Sequence, residues 1–343
     1  MSLPSTSIND TKSEKAKMIS MVYNFDWSST SLGPMDLWEP AVKTAMCMCL
    51  NSTFPASLFL GPSEWIFLYN DAFSEHIHHN HPYALGKPMR DVWPSTLCDI
   101  VIPHFEEVRT TGKGRFKKDE FYESPRDGYS EESYYTTSHT PIFKTDGTIC
   151  AILDIVQETT QNVLNTRRLK LLNELGRRVS EIESLESVCH IMTDVLSNSI
   201  DISYALIYFV EHKLNTSLES LIARLISTTF DKNGKDGRHI PDYLPEIPET
   251  IYLAEDANKN YDTYIELKRD DETFSFLKCE SWPIHLVIKE ERHVKVLLKD
   301  ESQAVLLPTK ISLCRGQSLS AVLICGVNRL NVLNKKYLDF LQV

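Results

Sequence analysis

Residues 158 to 196, ETTQNVLNTRRLKLLNELGRRVSEIESLESVCHIMTDVL, read as one long, mostly uninterrupted helix, and the sequence on either side is turn-punctuated and rich in β-type runs. A helix so placed is a connector. Steps of four and three from Leu164 give Leu164, Arg168, Leu171, Leu175, Arg178, Ile182 and Leu185, and five of these seven are apolar, as a heptad seam requires. The other face carries Arg167, Lys170, Glu174, Arg177 and Glu181, which suits solvent or the charges of a partner helix. The seam predicts a parallel homodimer held by Leu164, Leu171, Leu175, Ile182 and Leu185. The alternative is a single amphipathic helix packed on its own domains, since two seam positions are Arg and so short a seam is marginal. The part ahead of the second domain would span on the order of 35 to 40 Å, enough to carry a displacement from one domain to the other.

The length, 343 residues, exceeds one ordinary core and fits two domains. The boundaries read as a disordered tail or frayed helix over 1–22, a first domain over 23–160, the connecting helix over 161–184 and a second domain over 185–343. A formal net charge of −11 argues against nucleic acid as a direct partner, because phosphate binding needs clustered Lys and Arg. No stretch has the 18 or so apolar residues of a membrane span, and the first 20 residues lack the apolar core of a secretory leader. The expected location is therefore cytoplasmic. Eight cysteines, at 47, 49, 98, 150, 189, 279, 314 and 325, make no CxxC pair, so reduced, mostly buried thiols are expected rather than structural zinc.

Along the first half, Leu37, Ala41, Ala45, Met46 and Met48 recur at helical spacing after a Gly33-Pro34 turn. Ala56 to Leu60 and Trp65 to Tyr69 read as a β-hairpin about Gly61-Pro62-Ser63, and Asn70 or Asp71 can cap the helix that follows. A helix from Leu97 to Thr110 stops at Gly112, and Phe116 to Tyr122, Glu132 to Phe143 and Thr148 to Val156 read as strands. Two strands, a helical block and three strands make an α+β domain with a five-stranded antiparallel sheet.

These residues also carry a family resemblance. The string WSSTSLGP…FPASLFLGP…LYNDAF…HP…LGKP…VWP…IVIPHFEEVRTTG…RDGYSEESYYTTSHTPI…ETTQNV…RRLKLLNELG resembles the sensor region of bacterial and fungal hybrid histidine kinases, in which a PAS domain precedes a GAF domain. The second half is similar to the GAF part: Leu185 to Ser197 as first helix, Tyr204 to Val210 and Leu221 to Thr228 as first strands, then Trp282-Pro283 to Ile288, Ala304 to Pro308 and Ala321 to Gly326. A GAF domain would bring an antiparallel sheet flanked by helices. The spacing between Ala254 and Ser302 departs from the family pattern, and the last helix of the chain is expected to be truncated. The resemblance implies a sensory input module for phosphorelay signalling, with the kinase and receiver domains of a parent protein as partners. Phosphoacceptor and ATP-binding sequences do not occur in the chain, so no enzyme activity is expected from it. An alternative is a free-standing PAS–GAF protein that dimerises with complete kinases; a small-molecule enzyme built on a GAF fold is a third reading.

Several motifs invite chemistry. Ser138-His139-Thr140-Pro141 looks like a phosphoacceptor start, but lies within a β-rich run and is expected to be a strand histidine. His76, His78, His79 and His81 form a cluster that could bind metal, yet an exposed helix end is the plainer expectation. Cys189-His190 resembles the bilin-holding dipeptide of phytochrome-type GAF domains, but falls on a helix in step with Val188, Met192 and Val195. Asp119, Glu120, Glu123, Glu131 and Glu132 are expected as surface charge near strand ends. PAS domains often enclose a pocket, for which Phe59, Tyr69, Trp93, Phe105 and Tyr135 are wall candidates; the bound species, if any, is left open as a small ligand in either domain. In PAS domains an acidic residue and a Thr end the last strand. Glu158, Thr159 and Thr160 are accordingly expected to pass changes in the sheet into the helix, a Thr also serving as N-cap.

Overall fold

In the computed structural model the described residues are 18–77, 80–126, 129–180, 182, 184–215, 218–230, 239–257, 264–269, 272–278, 280–312 and 318–342. The chain divides into two compact units, Met1–Tyr122 with Ser133–Val163, and Glu123–Glu132 with Leu164–Val343.

The first unit is built on an antiparallel sheet of β1 (Ala56–Leu60), β2 (Ile66–Tyr69), β3 (Arg115–Arg126), β4 (Tyr129–Phe143) and β5 (Ile149–Glu158), in the order β2-β1-β5-β4-β3. This is the expected five-stranded α+β sheet. The segment foreseen as a disordered tail or frayed helix outside the fold is helical over 18–24, our α1, and belongs to the fold, because Met18 and Val22 fall one turn apart and are both buried in the core. Residues 1–17 lie outside the described residues. The next helix, α2 (Pro40–Asn51), buries Val42, Ala45, Met46, Cys49 and Leu50. Leu37 precedes it, and Leu37 and Met48 are exposed, so its core face is one step round from the one the spacing suggested.

Asn70, buried between β2 and α3 (Asp71–Ile77), explains why the chain turns there. Its Oδ1 accepts from the Phe73 amide at 2.9 Å, which caps the helix, and from the Ala56 amide at 3.1 Å. Its Nδ2 donates to the carbonyls of Ser52 at 3.0 Å and Phe54 at 2.8 Å. Beyond α3 come α4 (Met89–Val92) and α5 (Ser95–Thr111), the latter stopped by Gly112 at φ +66°, as foreseen. Gly86 is required more strictly: φ is +74° and an added Cβ would lie 2.3 Å from the Phe25 ring.

The long helix is shorter than its sequence pattern. It runs as α6 (Thr160–Val179) and gives way before α7 (Leu185–Ser197). Serines favour that break, because Ser180 Oγ turns back to the Arg177 carbonyl at 3.0 Å and Ser184 Oγ caps α7 at the Ser187 amide. Ile182 therefore lies outside the helix and Glu181 outside the described residues.

The second unit carries an eight-stranded sheet: β6 (Ile202–Asn215), β7 (Leu218–Thr228), β8 (Thr250–Tyr252), β9 (Tyr264–Arg269), β10 (Glu272–Lys278), β11 (Val294–Leu297), β12 (Gln303–Ser312) and β13 (Ser318–Val327). The order is β8-β7-β6-β13-β12-β11-β10-β9. An all-antiparallel sheet was expected, but β10 and β11 pair in parallel, Leu277 opposite Val296. The reason is local. Trp282-Pro283 starts α9 (Ile284–Glu290), and a strand–helix–strand crossover returns the chain in the same direction. Two short helices, α8 (Leu253–Asp256) and α10 (Lys335–Leu341), complete the unit.

Candidate functional site

The five aromatic wall candidates come together, ring against ring. Phe59 lies 4.6 Å from Phe105, and Phe67 links Tyr69 at 4.9 Å to Trp93 at 5.7 Å. Tyr135 packs edge-on against Tyr122 and His76 at 5.7 and 5.9 Å. Phe59, Tyr69 and Phe105 are fully buried, while Trp93 and Tyr135 are partly buried against the same core. The Tyr69 hydroxyl lies 3.0 Å from His81 Nδ1, and burial raises its pKa well above that of a free tyrosine. His76 and His81 are thus half-buried against aromatic rings and not an exposed helix end; His78 and His79 lie outside the described residues.

Beside this core runs a polar row that left little sign in the sequence. The register sets Ser57 of β1 opposite Asp154 of β5, and Asp154 opposite His139 of β4, so the three side chains share one face. All three are buried. Ser57 Oγ donates to Asp154 Oδ2 at 3.4 Å, and His139 Nε2 stands 3.3 Å from Asp154 Oδ1 without the alignment of a hydrogen bond. His139 Nδ1 and the Thr137 hydroxyl, two residues along the same strand face, have no hydrogen-bond partner among the described residues. His139 is the strand residue that the β-rich run implied.

Next to it, His104 of α5 lies 6.0 Å from His139, ring to ring, and 3.7 Å from Glu120. Burial first, and then the Arg115 charge, hold His104 at about 4, which keeps it neutral at neutral pH. Glu120 also takes the Tyr122 hydroxyl at 2.7 Å, so it is part of this arrangement and not loose surface charge.

The Glu158-Thr159-Thr160 junction is tied to β4 at Tyr134, next to the Tyr135–Glu158 ladder pair. The Thr160 hydroxyl accepts from the Tyr134 amide at 3.0 Å and donates to Glu158 Oε1 at 2.8 Å. The Tyr134 carbonyl in turn accepts from the Thr159 amide at 2.8 Å. Thr159 occupies the N-cap position, since its carbonyl takes the first helical bond from the Val163 amide at 3.0 Å. Its hydroxyl, however, points to Tyr134 O at 3.4 Å. The sequence placed the cap correctly and missed its anchor, because a contact across 26 residues leaves no local pattern.

In the second unit, Arg167 of α6 is gripped between two buried carboxylates. Its NH1 and NH2 donate to Glu132 Oε1 and Oε2 at 2.7 and 3.0 Å, and its NH2 and Nε donate to Asp201 Oδ1 and Oδ2 at 2.7 and 3.1 Å. Burial works against the guanidinium charge, but these bonds outweigh it and raise the pKa further. Glu132 and Arg167 were expected at the surface; each is used inside the fold. Of the seam positions, Arg168 is buried, Leu171 packs on a core containing Leu196, Ile202 and Tyr337, and Leu185 packs on one containing Cys189, Ile207 and Phe209. Leu164 and Leu175 are half-buried and Ile182 is outside the helix, so no continuous seven-position stripe is presented.

The same unit holds a cavity of about 530 Å³, lined by Leu244, Pro245, Pro248, Tyr252 and Trp282 together with Asp242, Glu246, Glu255, Asp256, Glu280 and Lys299. The size is that of a small-molecule site. Five carboxylates against one ammonium give it a negative lining. Asp256 Oδ2 is fixed by the His285 amide at 3.1 Å and lies 2.9 Å from His285 Nδ1. The segment from Asp242 to Tyr252 before α8 and the segment from Glu280 to Trp282 before α9 build most of the wall. Cys189 is buried on α7, where burial and then Glu186 push its thiol up to about 11, while His190 Nδ1 meets Ser227 Oγ at 3.0 Å. Cys49, Cys98, Cys150 and Cys325 are likewise buried free thiols and Cys47 is exposed; Cys279 and Cys314 lie outside the described residues. Among the described residues no helix is long and apolar enough to cross a membrane.

No family model matches the chain, and no curated protein matches it. Solved structures similar to part of it include the PAS domain of BvgS from Bordetella pertussis, 18% identical over 39% of this chain and 96% of that one, with a TM-score of 0.29. An RNA-binding light-oxygen-voltage receptor is 13% identical over 45% of this chain and 43% of its own, with a TM-score of 0.31. A single-substitution variant of the protein RsLOV is 13% identical over 45% of this chain and 93% of its own, with a TM-score of 0.29. A likeness at these scores carries neither activity nor ligand across to this chain.

Proposed function

We propose that the chain is a signal-sensing input module of the PAS–GAF kind, working in the cytoplasm for a histidine kinase phosphorelay, and that it regulates without catalysing. The observation that carries the reading is the junction at Tyr134. One strand residue holds both the end of the last strand and the first turn of α6, so a shift of β4 against β5 must reach the helix. The motif string from Trp27 onward supports the same reading, and the buried thiols, raised in pKa by desolvation, speak against cysteine nucleophiles. The signal would bias two arrangements of one helix, which needs only a difference in affinity between them. The cavity of the second unit is the place for a small ligand.

The test is autophosphorylation of a full-length kinase that contains this chain, compared with its Thr160→Val and Glu158→Gln variants. Valine keeps the shape of Thr160 and removes the hydroxyl that joins Tyr134 to Glu158. Output is expected to change several-fold, with the melting temperature of the sheet little affected. Output equal to wild type in both variants would sink the reading.

A further inference from the structure

Helix α10 has seven residues, too few to hold a helical conformation in water without outside support. Part of its support comes from α6, beside the core in which Tyr337 and Leu338 are buried with Leu196, Phe276 and Leu333. The Arg168 guanidinium lies 4.8 Å from the Tyr337 ring and 5.2 Å from the Phe340 ring, within cation–π range of both, and its NH2 is 3.5 Å from Asp201 Oδ1. Tyr337 closes the circuit, because its hydroxyl donates to the Asp201 carbonyl and its ring is buried in the core against which Leu171 packs. The Asp201 side chain is fixed by Arg167, one residue from Arg168, and by Asn331 Nδ2 at 3.1 Å. Two cations from one turn of α6 thus share the Asp201 carboxylate, with Glu132 on the first and the rings of α10 over the second.

We infer that the Arg167–Arg168 turn, Asp201 and the Tyr337–Phe340 pair make α6 and α10 one cooperative latch, in which the seating of that turn of α6 and the order of α10 reinforce each other. Removing Arg168 takes away the cation between the rings and leaves its share of Asp201 unfilled. Removing the rings leaves a buried guanidinium without its stack, so the effect must run in both directions. This coupling belongs to the fold of the second unit and does not depend on the sensory reading.

Hydrogen exchange read by mass spectrometry on the full chain tests it. In Arg168→Met, which keeps an apolar stem against the rings, amides of residues 335–342 are expected to exchange at least tenfold faster, with β6 and β13 unchanged. In Phe340→Ala, amides of residues 164–172 are expected to exchange faster, again with β6 and β13 unchanged. Tyr337→Phe, which removes only the hydroxyl, guards against a variant that unfolds outright and is expected to loosen 335–342 by a smaller factor. Wild-type exchange of 335–342 in Arg168→Met and Tyr337→Phe overturns the proposal. So does an Arg168→Met effect with no reciprocal change in Phe340→Ala, or acceleration spread evenly over the whole unit in all three variants.

Discussion

Two single residues in the first unit separate a structural role from a titrating one. Asn70 makes four hydrogen bonds to groups of a loop, a strand and a helix, with no solvent to replace them. Asn70→Ala leaves buried amides and carbonyls unpaired and should destabilise the protein by about 3 kcal/mol. Asn70→Asp keeps both accepting bonds and loses both donating ones, so it should also destabilise, through lost donors and a buried charge. Urea unfolding of the three proteins checks this, and an alanine variant within about 0.5 kcal/mol of wild type would contradict it. His104 is different, because its folded pKa of about 4 lies below the ordinary 6.5. Its contribution is complete above pH 6.5, is lost as pH falls from there towards 4 while the unfolded chain takes up a proton and the folded one does not, and changes no further below that. Subtracting the urea midpoints of His104→Gln from those of wild type should show a difference that shrinks across that window, on the order of 1 kcal/mol after solvent screening. A difference that is flat with pH would mean that His104 titrates normally in the folded protein.

At the scale of the element, the strands of the first unit were legible because alternation and turn residues bound them, and α7 was read to the residue, Leu185 to Ser197, whereas β8 to β11 went unread. What failed was the assumption that periodicity implies continuity. The pattern runs through Ser180 to Ser184, yet serine hydroxyls there satisfy backbone groups that a helix would have used. The two arginines of the apparent seam show the same limit, since sequence alone made them equivalent weak points of a dimer. Arg178 pairs with Asp194 at 2.6 Å on a part-exposed face, whereas Arg168 is buried beside Asp201 and two aromatic rings. Arg178→Leu should therefore cost no more than about 0.5 kcal/mol. Arg168→Leu should cost about 2 kcal/mol or more, because it removes one partner from a buried ionic cluster. Neither change should tighten self-association. Denaturation midpoints and sedimentation equilibrium measure the two effects, and an Arg168→Leu protein that is as stable as wild type and more strongly dimeric would restore the seam.

For the whole molecule, charge and cavity chemistry point the same way. A chain with net charge −11 lines its 530 Å³ cavity with five carboxylates and one lysine, so its field concentrates cations and repels anions. None of this was visible in order along the sequence, because Asp242, Glu255, Glu280 and Lys299 meet only when the loop after β7, α8, the segment before α9 and the turn after β11 fold together. Tyr252 and Trp282 add aromatic side chains to the lining, which suits an organic cation better than a bare metal ion. A small organic cation is accordingly expected to raise the melting temperature and alter tryptophan fluorescence, and at a hundred times its dissociation constant to stabilise the fold by about 2.7 kcal/mol. Lys299→Gln should strengthen that binding and Glu255→Gln weaken it, each by several-fold at low salt, because the cavity opens to solvent and its field is screened. Calorimetric titration with matched cationic, neutral and anionic compounds decides the matter. Preference for the anions, with binding lost in Lys299→Gln, would show that the single ammonium and not the carboxylates governs the site.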